Sequence, residues 1–256
     1  MTWDREEPRK QEVCVETVTD ALAAEAGGAA RLEVCTALAV GGVTPSPGLL
    51  HEILAAVRIP VVVLARPRRG DFLYDSADFA VLERDVRYAR EAGAAGVATG
   101  VLTRAGQVDT ERCRALAAAA APLSVTFHRA FDLVRDQDEA LDVLVALGIE
   151  RVLTSGGATD VERGADALRR LVARAGSSIT VMPGGGVRSS NARELLRTTG
   201  ARELHASAST DCASAMEHTG SAPALGSAQA PNERVRRVTS IEEVRALARV
   251  LADADS

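Results

Sequence analysis

The sequence predicts a closed barrel of eight parallel strands alternating with eight helices, a (β/α)8 barrel in a single domain. Three observations carry that prediction. One unit recurs along the chain: an amphipathic helix stops at a glycine, and within a few residues a short β-branched run begins. Eight such runs occur in 256 residues, and a barrel of this kind takes about 250. No Gly-x-Gly-x-x-Gly follows the first run, which argues against an open nucleotide-binding sheet and a nucleotide cofactor.

The runs fall near 12–16, 31–35, 61–66, 97–102, 124–128, 151–155, 179–182 and 203–207. Helices are expected over 18–26, 76–92, 137–147, 160–175, 190–199 and 240–253, with further ones around His51 and Cys113. Glycines at 27–28, 93, 148, 176 and 200 close five of them. Strand-helix alternation implies parallel pairing through right-handed crossovers. The barrel domain is read as 11–256, after a polar extension over residues 1–10. Between the last strand and the last helix, 209–239 is rich in Ala, Ser, Gly and Pro. A loop of that length is a lid or a disordered segment, and this one lies over the carboxyl-terminal mouth.

Composition narrows the function classes. With 46% hydrophobic and 25% charged residues and a net charge of −5, the chain lacks the basic balance of a nucleic-acid partner. No apolar run approaches the roughly 20 residues that span a bilayer. The amino terminus, MTWDREEPRKQ, lacks the apolar core of a signal peptide. A cytoplasmic protein without membrane or nucleic-acid partners is expected; monomer and homo-oligomer both stay open. The four cysteines, 14, 35, 113 and 212, show no paired CxxC spacing, and structural disulfides are not expected.

Alternation along each strand separates the helix-facing side from the barrel axis. Val13 and Val15, Leu32 and Val34, Val125 and Phe127, and Leu204 and Ala206 form apolar sets that pack under helices. Their neighbours Glu12, Cys14 and Glu16, Glu33 and Cys35, Thr126 and His128, and Glu203, His205 and Ser207 then face the axis. Barrel interiors are usually filled by branched apolar residues, and an unpaired buried carboxylate is costly. Glu12 and Glu33 therefore need partners, and Arg66, His128, Arg129 and His205 are the candidates. Glu12, Glu33, Arg66, His128 and His205 form a candidate acid–base set, in which a neighbouring carboxylate would fix the His128 tautomer. An internal salt-bridge network would explain the same residues. His51 and His218 are expected in solvent.

A second cluster lies at the anion end. Gly184, Gly185 and Gly186 follow the seventh strand and lead into a helix, where backbone N–H groups can cradle an anion. Ser155 after the sixth strand and Arg129 after the fifth could add donors. A small anionic or phosphorylated metabolite is the ligand this pattern suits.

EVCVE, RLEVC, GGVTPSPGLL, RPRRGDFLY, SVTFHRAFD, RVLTSGG, VMPGGGV and ELHASA occur in that order over residues 11–208. They resemble the blocks of the copper homeostasis protein CutC family. The resemblance implies a (β/α)8 barrel in the cytoplasm with a role in copper handling. It also implies that Cys14 and Cys35 are Cu(I) ligands, which suits soft thiolates. Leu64 stands where such proteins usually carry a methionine. Two functions are thus in play: copper homeostasis with Cu(I) at Cys14 and Cys35, or acid–base chemistry on a small anionic metabolite.

Overall fold

The computed structural model describes residues 8–218 and 234–254. Eight parallel strands form the barrel: β1 (Lys10–Val15), β2 (Arg31–Val34), β3 (Val61–Leu64), β4 (Gly96–Thr99), β5 (Ser124–Phe127), β6 (Arg151–Thr154), β7 (Thr180–Pro183) and β8 (Glu203–Ala206). Their spatial order is β7-β6-β5-β4-β3-β2-β1-β8. A parallel bridge between Gly184 and His205 brings β7 to β8 and closes the ring. Glycine at 184 permits that approach, since a Cβ there would stand 2.4 Å from Leu153 Cδ1.

Helices α1 (Val18–Gly27), α2 (Pro47–Ala56), α3 (Ser76–Glu91), α4 (Thr110–Ala120), α5 (Gln137–Ala146), α6 (Ala165–Ala175), α7 (Ser189–Thr199) and α8 (Ile241–Ala254) surround the strands. Local chemistry starts several of them. Side chains of Thr17, Ser46, Asp75, Asp109 and Asp136 accept first-turn N–H groups that have no partner within the helix. Helix α6 begins five residues later than the spacing predicts. Asp160 instead holds a turn, accepting from Arg163 N at 2.9 Å through its side chain and from Gly164 N at 3.1 Å through its carbonyl.

The strand alternation is realised as two separate cores. Val13, Val15, Leu32, Val34, Val63, Val97, Val125, Phe127, Val152, Val181, Leu204 and Ala206 belong to the large core between strands and helices. Inside the barrel the apolar cluster is small: Cys14, Cys35, Val62, Leu64 and Ala98, with Leu38 against it. Leu153 and Met182 are also buried on the inner side, alongside the polar Glu12, Glu33 and His205.

The segment expected as a loop over 209–239 opens and closes as strands. β9 (Ser209–Ala213) pairs antiparallel with β10 (Val235–Thr239), from Ser209 opposite Thr239 to Ala213 opposite Val235. The hairpin stands at the mouth beside β8. Residues 219–233, and with them the lid reading, lie outside the described part.

Candidate functional site

The polar interior has two levels, set by strand register. Glu12 is level with Arg31 on β2 and His205 on β8, whereas Cys14 is level with Glu33. The two Glu-Val-Cys tripeptides are therefore staggered by two residues, and Cys35 lies nearer the mouth than Cys14.

At the floor, Arg31 Nε donates to Glu12 Oε2 at 2.5 Å and Arg31 Nη2 to Glu203 Oε2 at 2.7 Å. Arg151 Nε donates to the same Glu203 oxygen at 3.1 Å. His205 Nδ1 meets Glu12 Oε1 at 2.8 Å. Burial would raise the Glu12 pKa, but the His205 hydrogen bond and Arg31 override it and hold the carboxyl at about 2. Arg31 and Arg151 were not among the cations expected to satisfy the glutamates. Arg31 shares the parity of Glu33 and Cys35 on its strand, so the signal was present in the alternation.

One level up, Glu33 has no comparable partner. Its Oε2 lies 3.9 Å from His205 Nε2, and its Oε1 is buried without a hydrogen bond. Burial raises its pKa, His205 opposes, Glu12 adds repulsion, and the result is about 7. Burial disfavours charge on His205, yet Glu33, Cys14 and Glu12 raise its pKa well above the usual imidazole value. Ligand atoms of Glu12, Glu33 and His205 lie within 4.8 Å of one another, so these three buried residues could hold a metal ion.

The remaining candidates separate. Arg66 does not reach the glutamates. Its guanidinium donates to the carbonyls of Val40 (3.2 Å), Gly42 (2.9 Å) and Gly70 (2.8 Å), clasping the loops after β2 and β3. His128 is buried against Phe72, with ring centroids 4.8 Å apart. Its Nδ1 accepts from Ala130 N at 3.3 Å, so no carboxylate fixes its tautomer. Burial, helped by the Arg66 charge, lowers its pKa to about 3 and keeps it neutral. Asp132, the carboxylate nearest to it in the sequence, turns to the loop after β6. It accepts from Ser155 N and Gly157 N at 3.0 Å each and from Thr154 Oγ1 at 2.5 Å.

That arrangement uses up the expected donors of Ser155, whose hydroxyl also donates to Ala158 O at 2.6 Å. Arg129 bridges Asp132 (2.7 Å) and Ser155 Oγ (2.9 Å) and lies against Gly185. Gly184 is occupied with barrel closure, its N–H donating to Thr154 O at 2.9 Å. Gly185 and Gly186, by contrast, line a cavity of about 640 Å³ at the mouth, together with Cys14, Glu33, Arg129, His128 and His205. His51 and His218 are exposed, as expected.

Both thiols of the repeat face backbone carbonyls. Cys14 Sγ lies 3.6 Å from Ala206 O and Cys35 Sγ 3.8 Å from Val15 O. Burial pushes the Cys35 thiol far up, and Cys14, Glu33 and Glu16 add to the effect. Cys14 lines the cavity; Cys35 sits behind it among Val62, Leu64 and Ala98.

A closed (β/α)8 barrel with a buried carboxylate–imidazole centre and two buried thiols near an open mouth is the class of protein these features define. The chain belongs to the CutC family, whose family model matches residues 9–210. It is 44% identical over 242 residues to the copper homeostasis protein cutC homolog of Mus musculus, covering 94% of this chain and 89% of that one. It is 44% identical over 236 residues to the Homo sapiens homolog of the same name, covering 92% and 86%. The crystal structure of the CutC protein from Streptococcus agalactiae superposes with a TM-score of 0.74 at 34% identity, over 78% of this chain and 98% of that one. A thiamine phosphate pyrophosphorylase from Pyrococcus furiosus, 16% identical with a TM-score of 0.59 over 97% of this chain and 98% of that one, shares the fold. Among the described residues no helix is long and apolar enough to cross a membrane.

Proposed function

We propose that this chain serves copper homeostasis and takes the ion as Cu(I) cargo on Cys14 and Cys35. The observation that carries the reading is the placement of Cys14. In a family whose mouse and human members are named copper homeostasis proteins, it presents a soft donor to an open cavity and shares one apolar cluster with a second thiol. Cu(I) prefers thiolate sulfur over carboxylate oxygen. The residues fit such a cargo: two sulfurs lie in low-dielectric surroundings, with Glu33 beside Cys14 available to take up a proton that binding releases. The same burial that keeps Cys35 protonated strengthens its attraction to a cation once one is beside it. All four cysteines are free thiols, the state that persists in a reducing cytoplasm.

Anaerobic Cu(I) titration against a competing chelator tests this. The Cys14→Ser/Cys35→Ser protein should lose roughly a hundredfold or more in affinity, the upper range for altering a metal's surroundings. Glu33→Gln should bind nearly as the native chain does. Equal binding by the native and double-serine proteins contradicts the reading. Loss in Glu33→Gln alone would move the ion to the Glu12, Glu33 and His205 trio.

A further inference from the structure

We propose that the barrel mouth also binds a small organic anion, whose phosphate or carboxylate group sits on the Gly186 and Val187 amides beside Arg129 and Arg188. The body of the molecule would extend down towards His128 and Glu33. A cavity of about 640 Å³ is within the roughly 300–1,000 Å³ of small-molecule sites, and far larger than a bare metal ion requires. Its lining carries four arginines, 66, 129, 188 and 237, against two carboxylates, Glu33 and Glu243. That balance selects an anion.

The amides are set by their own peptides. Gly185 O accepts from Val161 N at 2.9 Å and Gly186 O accepts from Asn191 Nδ2 at 2.9 Å. A planar trans peptide points its N–H opposite its carbonyl, so anchoring these two carbonyls turns the N–H groups of Gly186 and Val187 the other way. Neither has a hydrogen-bond partner among the described residues. Left-handed φ values of +107° at Gly185 and +83° at Gly186 make this turn available to glycine. The next donors along, at the start of α7, are already taken: Ser189 N and Oγ each donate to the Glu243 carboxylate at 2.7 Å. This helix start thus holds an oxyanion supplied by the chain itself, and the ligand's group belongs on the amides before it.

A second, independent observation lies deeper in the same cavity. His128 Nε2 and Glu33 Oε1 are buried without hydrogen-bond partners, in residues 3% and 4% exposed. Buried polar atoms are rarely left so. His128 Nδ1 accepts from Ala130, which places the imidazole proton on Nε2, a donor. Glu33 Oε1 is an acceptor. Phe72, Leu38 and Leu153 supply apolar wall beside them. A molecule with a charged head and a hydroxyl or carbonyl further along would satisfy both ends.

The proposal does not rest on the copper reading and is tested without metal. Backbone ¹⁵N spectra of the protein in chelator would be followed while inorganic phosphate or malonate is added, against sodium chloride at matched ionic strength. Saturable shifts at Gly186 and Val187 are expected with at least one anion. Response to phosphate alone assigns a phosphate-bearing ligand; response to malonate alone assigns a carboxylate-bearing one. Arg188 is exposed, so Arg188→Glu should keep a native spectrum and weaken binding about tenfold or more, the worth of one well-placed charge. Silence at Gly186 and Val187 would overturn the proposal. Shifts matching those of chloride, or unchanged affinity in Arg188→Glu, would overturn it as well.

Discussion

The two Glu-Val-Cys tripeptides have the same letters and opposite physics. In the first, Glu12 lies at the floor between Arg31 and His205 and stays ionised to about pH 2. In the second, Glu33 has one oxygen without a partner and its pKa reaches about 7. The thiols differ likewise, Cys14 facing the cavity and Cys35 enclosed behind it. A two-residue stagger between β1 and β2 produces all of this, by putting the second glutamate level with the first cysteine. Equal sequence therefore does not mean equal role: one copy builds the barrel floor and the other lines the site.

Breaking the floor should have the largest effect. Glu12→Ala strands Arg31 and His205 in the interior and should cost about 3–5 kcal/mol in urea unfolding, the usual cost of halving a buried ion pair. A cost below about 1 kcal/mol would place the Arg31 network in solvent.

Glu33→Gln should act in the other direction. A folded pKa of about 7 against 4.5 unfolded means the native state binds the proton more tightly. The metal-free protein therefore loses stability as pH rises from about 4.5 to 7, and the loss is complete above 7. At about 1.4 kcal/mol per pH unit, the variant should gain up to about 3 kcal/mol over the native chain above pH 7. Glu12 has the opposite sign: its depressed pKa stabilises the fold above 4.5, and that contribution fades as pH falls towards 2. Denaturation midpoints of Glu33→Gln and Glu12→Ala, each followed against the native chain across pH, should diverge accordingly.

Arg66→Ala comes next. It removes charge-assisted bonds to Gly42 and Gly70, and should cost about 2–3 kcal/mol while speeding amide exchange in the loops after β2 and β3. Unchanged exchange there would show that the clasp is not what orders those loops. The smallest effect is at the surface: Arg197→Ala breaks an exposed pair with Glu194 on α7 and should leave the urea midpoint unchanged within error.

Much of the fold was legible because the strand–helix unit repeats and each glycine marks its end. Strand parity also divided inward from outward residues correctly at Glu12, Cys14, Glu33 and His205. Three things were not legible. β9 and β10 are largely exposed strands in which Ser209 faces Thr239, Thr210 faces Val238 and Asp211 faces Arg237, so no burial-driven alternation announces them. Arg66 follows a strand and looks like a site cation, but the carbonyls that claim it come from the loops after β2 and β3, which lie side by side because those strands pair. The donors of Ser155 are lost to Asp132, a residue of the preceding unit. Such pairings depend on how neighbouring units lean together, which no single stretch of sequence contains.

The claim that the repeat splits into an anchored and an unanchored carboxylate is tested most directly by titrating the side-chain carboxyl carbons of Glu12 and Glu33 in the metal-free protein by ¹³C NMR. Glu33 should titrate near pH 7, as its buried pKa requires, while Glu12 should remain ionised well below 4.5. Two superimposable titrations near the ordinary glutamate value would contradict it.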